Sequence, residues 1–150
     1  MIRRFGSPPE VGRDYIRRPG AYALLPRNGQ LLLTVQMADD PDIQLPGGGI
    51  DRGETPVTAL HREVFEETGW RISMPRRLGV FRRFVFMPEY GIWAEKICHI
   101  YVARPTRQIC NPIEPDHQAV WAAPDAAALI LGNAGDRYFA RRYFCGTSGP

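Results

Sequence analysis

The segment Gly48–Trp70 constrains the fold most, because it carries a full set of start and stop signals for one helix. Thr55 suits the N-cap, and Pro56 follows at the first helical position, where its missing N–H costs nothing. Gly69 supplies the stop after Thr68. The spacing therefore predicts a helix that ends at Thr68. The turn before this segment is rich in glycine and reads Leu45-Pro46-Gly47-Gly48-Gly49.

Three carboxylates share one face of this helix, since Glu63, Glu66 and Glu67 stand at positions i, i+3 and i+4. Like charges at that spacing cost about 0.2–0.5 kcal/mol per pair in an isolated helix. Arg62 can pair with Glu66 or Glu54, but one arginine cannot neutralise four glutamates. Hard oxygen ligands at this density suit Mg²⁺ or Mn²⁺, and Mg²⁺ commonly combines a few carboxylates with substrate phosphates. The sequence therefore indicates a site for a metal ion and a phosphate.

This segment resembles the Nudix box, the signature of the Nudix hydrolases. The final position of the box, usually aliphatic, is Trp70 here. Further along, Trp121 precedes a helix start, which is similar to the usual ending of the family. The fixed residues of the box are all present: Gly48, Glu54, Arg62, Glu63, Glu66, Glu67 and Gly69.

The resemblance implies an α/β fold, a Nudix-type α/β/α sandwich around a mixed β-sheet. We expect residues 1–150 to form a single domain, with residues 1–14 as a loose lead-in rich in proline and glycine. The resemblance also implies a reaction, the metal-dependent hydrolysis of a pyrophosphate bond in a nucleoside diphosphate linked to another moiety, X. The simplest physiological role is housecleaning of modified or surplus nucleotides.

The site residues follow from the same resemblance. A Mg²⁺ or Mn²⁺ cofactor would be bound by carboxylates and one backbone oxygen, with Arg62 and Glu54 orienting the carboxylates. The implied metal ligands are Glu63, Glu66, Glu67 and the backbone carbonyl of Gly47.

The general base stays open between two routes. Box glutamates serve as the base in some family members, whereas others take it from a loop far outside the box. In this chain the loop candidates are Glu114 and Asp116, with His117 beside them. The same stretch could equally be a surface turn.

Substrate contacts are predicted on the hairpin that follows the box. Phe84, Tyr90 and Trp93 could stack on a base, although core packing is the plain alternative. Arg82 and Arg83 share one strand, so alternation allows only one to face inward. We assign Arg82 to the substrate.

The remaining pattern predicts strands before the box and after it, with the Asn28-Gly29 turn joining the first two. A proline-containing loop is expected over residues 104–115. The predicted strands cover residues 22–25, 31–36, 70–73, 78–87, 92–103 and 119–122, and helices cover 125–131 and 136–144.

Composition excludes several classes of protein. A chain of 150 residues with 44% hydrophobic residues and a net charge of +3 is neither disordered nor too small to bury a core. Three cysteines cannot build a disulfide scaffold, so we expect reduced, inert thiols and a cytoplasmic location. No apolar run approaches the roughly 20 residues that a membrane span needs.

The basic residues come as arginine pairs spread along the chain, whereas nucleic-acid proteins more often concentrate them on one element. We therefore expect a small-molecule nucleotide substrate, no nucleic acid, no membrane, and a monomer or homodimer. Two alternatives remain: a catalytically silent nucleotide-binding sensor of Nudix type, and an RNA- or DNA-binding protein. The intact box glutamates argue against the sensor.

Overall fold

The computed structural model describes the backbone of residues 1–147 and the side chains of residues 1–144. None of its helices is long and apolar enough to span a membrane within that described part. Cys98 and Cys110 are free thiols, and the side chain of Cys145 lies outside the described residues. The elements are β1 (Arg3–Arg4), β2 (Ile16–Leu24), β3 (Pro26–Arg27), β4 (Gln30–Gln36), β5 (Asp42–Gln44), β6 (Gly47–Gly49), α1 (Pro56–Thr68), β7 (Trp70–Ile72), β8 (Arg76–Met87), β9 (Ile92–Val102), β10 (Pro105–Gln108), β11 (His117–Ala122), α2 (Pro124–Ile130) and α3 (Ala134–Thr147).

The strands form a mixed sheet and two smaller ones. The five-stranded sheet has the order β1-β8-β9-β2-β6, in which β2 and β9 run parallel while β8 and β9 form an antiparallel hairpin. A second sheet has the order β11-β4-β3, with β5 paired to β4. Strands β7 and β10 form an antiparallel pair. This arrangement confirms the predicted α/β fold around a mixed sheet.

Strand β2 divides the core in two, because its side chains alternate between the faces of the sheet. Ala21 and Ala23 are fully buried against Leu60 and Val64 of α1. Leu24 faces the other way, into the cluster that holds the buried residues of α2 and α3. The helices therefore cover both faces of the sheet.

Helix α1 begins and ends where the sequence predicts. The Thr55 hydroxyl accepts a hydrogen bond from the Thr58 N–H at 3.1 Å, and Pro56 opens the helix. Gly69 closes it with φ of 75°, and its N–H donates to the Phe65 carbonyl at 2.8 Å. These caps fix the register of the acidic face.

The predicted loose lead-in is wrong for its first residues. Arg3–Arg4 pair in parallel with β8, and the Phe5 ring packs edge-on against Phe81 with 5.5 Å between the centroids. The predicted loop over residues 104–115 is wrong as well, since Pro105–Gln108 pair with β7. Both strands are short edge strands whose pairing depends on distant residues, so local sequence does not reveal them.

Candidate active site

A cleft of about 270 Å³ opens where α1, the glycine turn β6 and strand β2 meet. We call its first group of residues the acidic lining: Gly47, Gly48, Gly49, Glu63, Glu67 and His117. We call its second group the basic lining: Arg18, Tyr22, Gln44, Tyr90 and Lys96. The two groups lie on different elements and carry opposite charge.

Arg62 connects most of the acidic residues of the Nudix box. Its guanidinium donates to both oxygens of Glu54 at 2.8 Å, to Glu63 at 2.9 Å and to Glu66 at 3.3 Å. Asp51 lies 3.3 Å away. The paired guanidinium lowers the pKa of Glu54 to about 2. The positions of Glu54 and Arg62 are consistent with the predicted role of orienting the helix carboxylates, and that role stays a prediction.

Glu67 is held separately and is only 4% exposed. Its two oxygens accept from the Gly47 N–H at 2.8 Å and pair with Nε2 of His117 at 2.9 Å. Burial raises the pKa of Glu67, while the hydrogen bonds from His117 and Gly47 oppose that rise. The bond to Glu67 raises the pKa of His117, whose buried Nδ1 has no partner among the described residues.

Glu63 lies against the glycine turn. A Cβ atom on Gly48 would stand 2.5 Å from the Glu63 carboxyl carbon, so the Glu63 carboxylate lies where a larger residue at this position would displace it. Burial, together with the charges of Glu67 and Glu66, raises the pKa of Glu63 to about 7 despite the contact with Arg62. A cation at this point would relieve the crowding of negative charge.

The fit to a divalent cation rests on the chemistry of these donors. In the described residues no three acidic, histidine or cysteine side chains stand in a metal-binding arrangement. Glu63 and Glu66 pair with Arg62, and Glu67 pairs with His117. Carboxylate oxygens beside a backbone that only glycine can form suit a hard cation such as Mg²⁺ or Mn²⁺. The residues present therefore fit the implied metal.

The basic lining is built by pairing between strands. Arg18 and Lys96 are register partners in the parallel β2–β9 pair, and Arg83 stands opposite Lys96 on β8. None of these three cations forms an ion pair with a carboxylate in the part of the chain that is described. Burial, and then the charge of Arg83, lowers the pKa of Lys96. Glu89 in the cleft and the buried Asp136 act on Lys96 only at longer range. Cations without a directly paired carboxylate suit an anionic ligand.

A narrow recess behind the basic lining holds a buried carboxyl group. Asp136 is 3% exposed and accepts from the Leu45 N–H at 3.3 Å. Burial raises its pKa. Asn133, Arg83 and Lys96 line the same recess, so polar groups extend beyond the cleft itself.

Of the four predicted substrate residues, the structure places one in the cleft. Tyr90 lines the cleft, with the guanidinium of Arg18 4.7 Å from its ring centroid. Arg82, Phe84 and Trp93 lie on the other face of the sheet, where Arg82 is 3.8 Å from Glu95. The other two rings contact Tyr15 at centroid distances of 4.9 and 6.2 Å.

The error concerns the phase of β8. Phe81 is buried in the core, so residues two positions away share its face, and Arg83 rather than Arg82 reaches the recess. A core position at Phe81 is the signal in the sequence that would indicate this phase. Arg18, Tyr22 and Lys96 have no local signal, because the parallel β2–β9 pair brings them to the site. Gln44 reaches it on β5, through antiparallel pairing with β4.

The loop predicted to offer a base contributes only one side chain to the cleft. The N–H of Glu114 donates to the Glu66 carbonyl at 3.0 Å, which docks the loop on α1. The side chains of Glu114 and Asp116 are exposed. His117, which follows them, enters the cleft.

Comparison with known proteins agrees with this geometry. The family model of the NUDIX domain matches residues 15–143. The "MutT-like protein" of Streptomyces ambofaciens is 32% identical over 125 residues, covering 83% of this chain and 76% of that protein. The "8-oxo-(d)GTP phosphatase" of Mycolicibacterium smegmatis is 32% identical over 102 residues, covering 68% of this chain and 30% of its own length. A relative from Bacillus subtilis is matched over 50% of its length.

Solved structures share the fold. The MutT protein from Methanosarcina mazei Go1 has a TM-score of 0.71 at 18% identity, covering 91% of this chain and 99% of its own. A NUDIX hydrolase from Nitrosomonas europaea has a TM-score of 0.70 at 17% identity, and the match covers 87% of this chain and 90% of that one. Of the fixed box residues, Gly48, Glu63 and Glu67 line the cleft. Since the family model spans most of the sequence, the chain belongs to the Nudix hydrolase family.

Proposed function

We propose that this chain is a metal-dependent nucleotide pyrophosphohydrolase, which cleaves a pyrophosphate bond in a nucleoside diphosphate linked to a moiety X. One observation carries the proposal: a single cleft brings Glu63 and Glu67 together with Arg18 and Lys96. Carboxylates can bind a divalent cation there, while the arginine and lysine bind phosphate oxygens.

The acidic residues of the cleft would bind the metal ion, and the basic residues would bind the substrate. Glu63, Glu66 and Glu67, with the backbone carbonyl of Gly47, would hold Mg²⁺ or Mn²⁺. When bound, such an ion polarises the phosphate and lowers the pKa of a water molecule. Arg62 orients Glu63 and Glu66 through hydrogen bonds of 2.9 and 3.3 Å.

Cationic side chains bind the substrate and stabilise the leaving phosphate. Lys96 and Arg18 line the cleft, and Arg83 lies directly behind them. Their charge stabilises the negative charge that develops on the leaving group when water attacks phosphorus. This arrangement supports a phosphate chain that runs along β2 and β9.

The general base is a residue that reaches the cleft. Glu63, Glu67 and His117 meet that condition, whereas the carboxylates of Glu114 and Asp116 are exposed.

The identity of X is the open part of the proposal. Relatives are named for 8-oxo-(d)GTP, and a 26-residue match at 69% identity joins this chain to the RNA pyrophosphohydrolase of Helicobacter pylori (strain G27). A nucleotide with a polyphosphate tail, removed in a housecleaning role, is the substrate class these names support. Free Cys98 and Cys110 support work in a reducing compartment such as the cytoplasm. The proposed oligomeric state is a monomer or homodimer.

The test measures phosphate and pyrophosphate release from a panel of nucleotides and nucleotide conjugates with Mg²⁺, with Mn²⁺ and with EDTA. Glu66→Gln and Glu67→Gln should each lower kcat at least about 100-fold, because each removes a metal-binding charge. Glu10→Gln is the matched control, since Glu10 pairs with Arg13 on the surface.

Two outcomes would count against the enzyme. Activity within tenfold of the parent in both variants would contradict the assignment of the box glutamates. No turnover on any compound, combined with tight binding of one, would favour a nucleotide-binding sensor instead.

A further inference from the structure

A second concave surface lies on α3, away from the cleft. This groove of about 560 Å³ shares no lining residue with the cleft. Helix α3 buries Phe139 and Ala140 in the core and turns its opposite side to the groove. The lining residues are Phe5, Ala134, Arg137, Tyr138, Arg141 and Arg142.

Arginines that are distant in the sequence meet at this groove. Arg3, brought there by the pairing of β1 with β8, stands 4.6 Å from the ring centroid of Tyr138. Arg137 and Arg141 are one helical turn apart, and Arg142 donates to the Tyr138 hydroxyl at 2.6 Å. The spread of arginine pairs along the sequence, which argued against nucleic-acid binding, therefore does not describe their distribution in space.

These arginines lack anionic partners. In the described part of the chain none of Arg3, Arg137, Arg141 and Arg142 forms an ion pair with a carboxylate, whereas Arg13, Arg17 and Arg62 do. Arg137 donates one hydrogen bond to the Leu131 carbonyl at 2.8 Å. Arg142 and Arg3 lower the pKa of Tyr138, which reports the same excess of positive charge. Several uncompensated charges around one groove would attract a polyanion.

Aromatic rings complete the wall of the groove. The rings of Phe5 and Tyr138 lie 5.2 Å apart between centroids, and both line the groove. Phe5 is fixed from behind by Phe81, and Tyr138 by Phe139 at 5.2 Å. Arginines that follow a phosphate backbone beside rings on which bases stack are the combination that binds single-stranded nucleic acid.

We propose that the groove formed by Phe5, Arg137, Tyr138, Arg141 and Arg142, with Arg3 beside the Tyr138 ring, binds single-stranded nucleic acid, with phosphates on the arginines and a base beside the aromatic wall. A membrane surface is disfavoured, because the rings stand in a concave wall instead of projecting from the protein. The proposal does not depend on hydrolysis in the cleft.

The test is fluorescence anisotropy of a ten-nucleotide oligouridylate with a 5′-hydroxyl end, measured on the full chain in EDTA. This probe has no pyrophosphate bond, so its binding is separate from turnover. Arg141→Gln combined with Arg142→Gln should weaken binding at least fivefold. It should also reduce the slope of log K against log salt by about 1.4, since each single-strand phosphate contact contributes about 0.7.

The control is Arg104→Gln combined with Arg107→Gln, which removes the same charge from exposed positions on and beside β10. Its affinity should stay within twofold, and thermal melts should show that both variants are folded. Equal losses in the two variants, or no binding of the oligouridylate in 50 mM salt, would overturn the proposal.

Two further arms identify other ligands. Competition by UMP at concentrations equal in phosphate would show a mononucleotide site in place of a strand site. Binding to vesicles of anionic phospholipid without binding to the oligouridylate would show a lipid surface. Either result would contradict the proposal, and neither bears on hydrolysis in the cleft.

Discussion

The two linings of the cleft are built in opposite ways. The acidic lining comes almost entirely from residues 47–67, a glycine turn and the helix that follows it. The basic lining comes from β2, β9 and their neighbours, where Arg18 meets Lys96 through a parallel strand pair. Local spacing determines the first lining, whereas long-range pairing determines the second.

This difference decides how each lining responds to mutation. In the acidic lining, neighbouring residues support one another directly, as Gly47 does by donating to Glu67 at 2.8 Å. In the basic lining the cations form no hydrogen bonds to one another, and burial, followed by the charge of Arg83, lowers the pKa of Lys96. In the acidic lining, the effect of a substitution should therefore depend strongly on which residue is changed. In the basic lining, each lost charge should have a similar, smaller effect.

The largest expected effect is in the glycine turn. A Cβ at Gly47 would collide with the backbone of Ala21, and the φ of 147° disfavours any other residue, so Gly47→Ala should cost on the order of 3 kcal/mol of stability. Gly48→Ala would displace only the flexible Glu63 side chain. It should keep the fold and lower kcat about tenfold.

Gly49→Ala is the matched control, because nothing lies within 4 Å of its Cβ. Thermal melts and steady-state kinetics on the three variants would separate the effects. Equal melting temperatures for Gly47→Ala and Gly49→Ala would show that the turn tolerates side chains and that the close approach is not required.

Much of the acidic lining could be predicted from the sequence, and little of the basic lining could. The caps at Thr55 and Gly69 fix the helix, and helical spacing then places Glu63 and Glu67. The pairing of Arg62 with Glu54 and Glu66 was also expected, and it occurs. The ion pair between His117 and Glu67 could not be predicted from the sequence.

The basic lining depends on choices that local sequence leaves ambiguous. A shift of one residue in β8 exchanges the two faces of the strand, and the irregular pairing between Arg77 and Gly79 adds such a shift. The parallel partner of β9 could not be inferred, since β2 lies far away in sequence. The sequence therefore favours Arg82 for the substrate contact, whereas in the structure Arg83 reaches the recess.

An intermediate effect is expected from comparing these two arginines. Arg83→Gln should raise KM about tenfold with a smaller change in kcat, because it removes a charged contact to the phosphate chain. Arg82→Gln removes the same charge from the opposite face, beside Glu95, and should change KM less than twofold. Steady-state kinetics on the best substrate of the panel would decide between them. If Arg82→Gln had the larger effect, the assignment of the cleft to this face of the sheet would be wrong.

The smallest expected effect is on stability, and it follows from the pKa of Glu63, which is about 7 instead of 4.5. A raised carboxyl pKa means that the folded state binds the proton more tightly. The stability that Glu63 contributes is thus fully present below about pH 4.5 and is lost as the pH rises through 7. In EDTA, Glu63→Gln should melt at nearly the parent temperature at pH 5 and a few degrees higher at pH 8, a gain on the order of 1–2 kcal/mol.

Glu54→Gln should show the opposite sign. The pKa of Glu54 is lowered to about 2 by Arg62, so the stability that Glu54 contributes is present above pH 4.5 and is lost as the pH falls toward 2.

Adding Mg²⁺ at pH 8 should stabilise the parent and remove the stability advantage of Glu63→Gln, because a bound cation favours the charged carboxylate. An advantage that persisted in saturating Mg²⁺ would show that Glu63 does not bind the metal, and would confine the metal-binding part of the acidic lining to its other carboxylates.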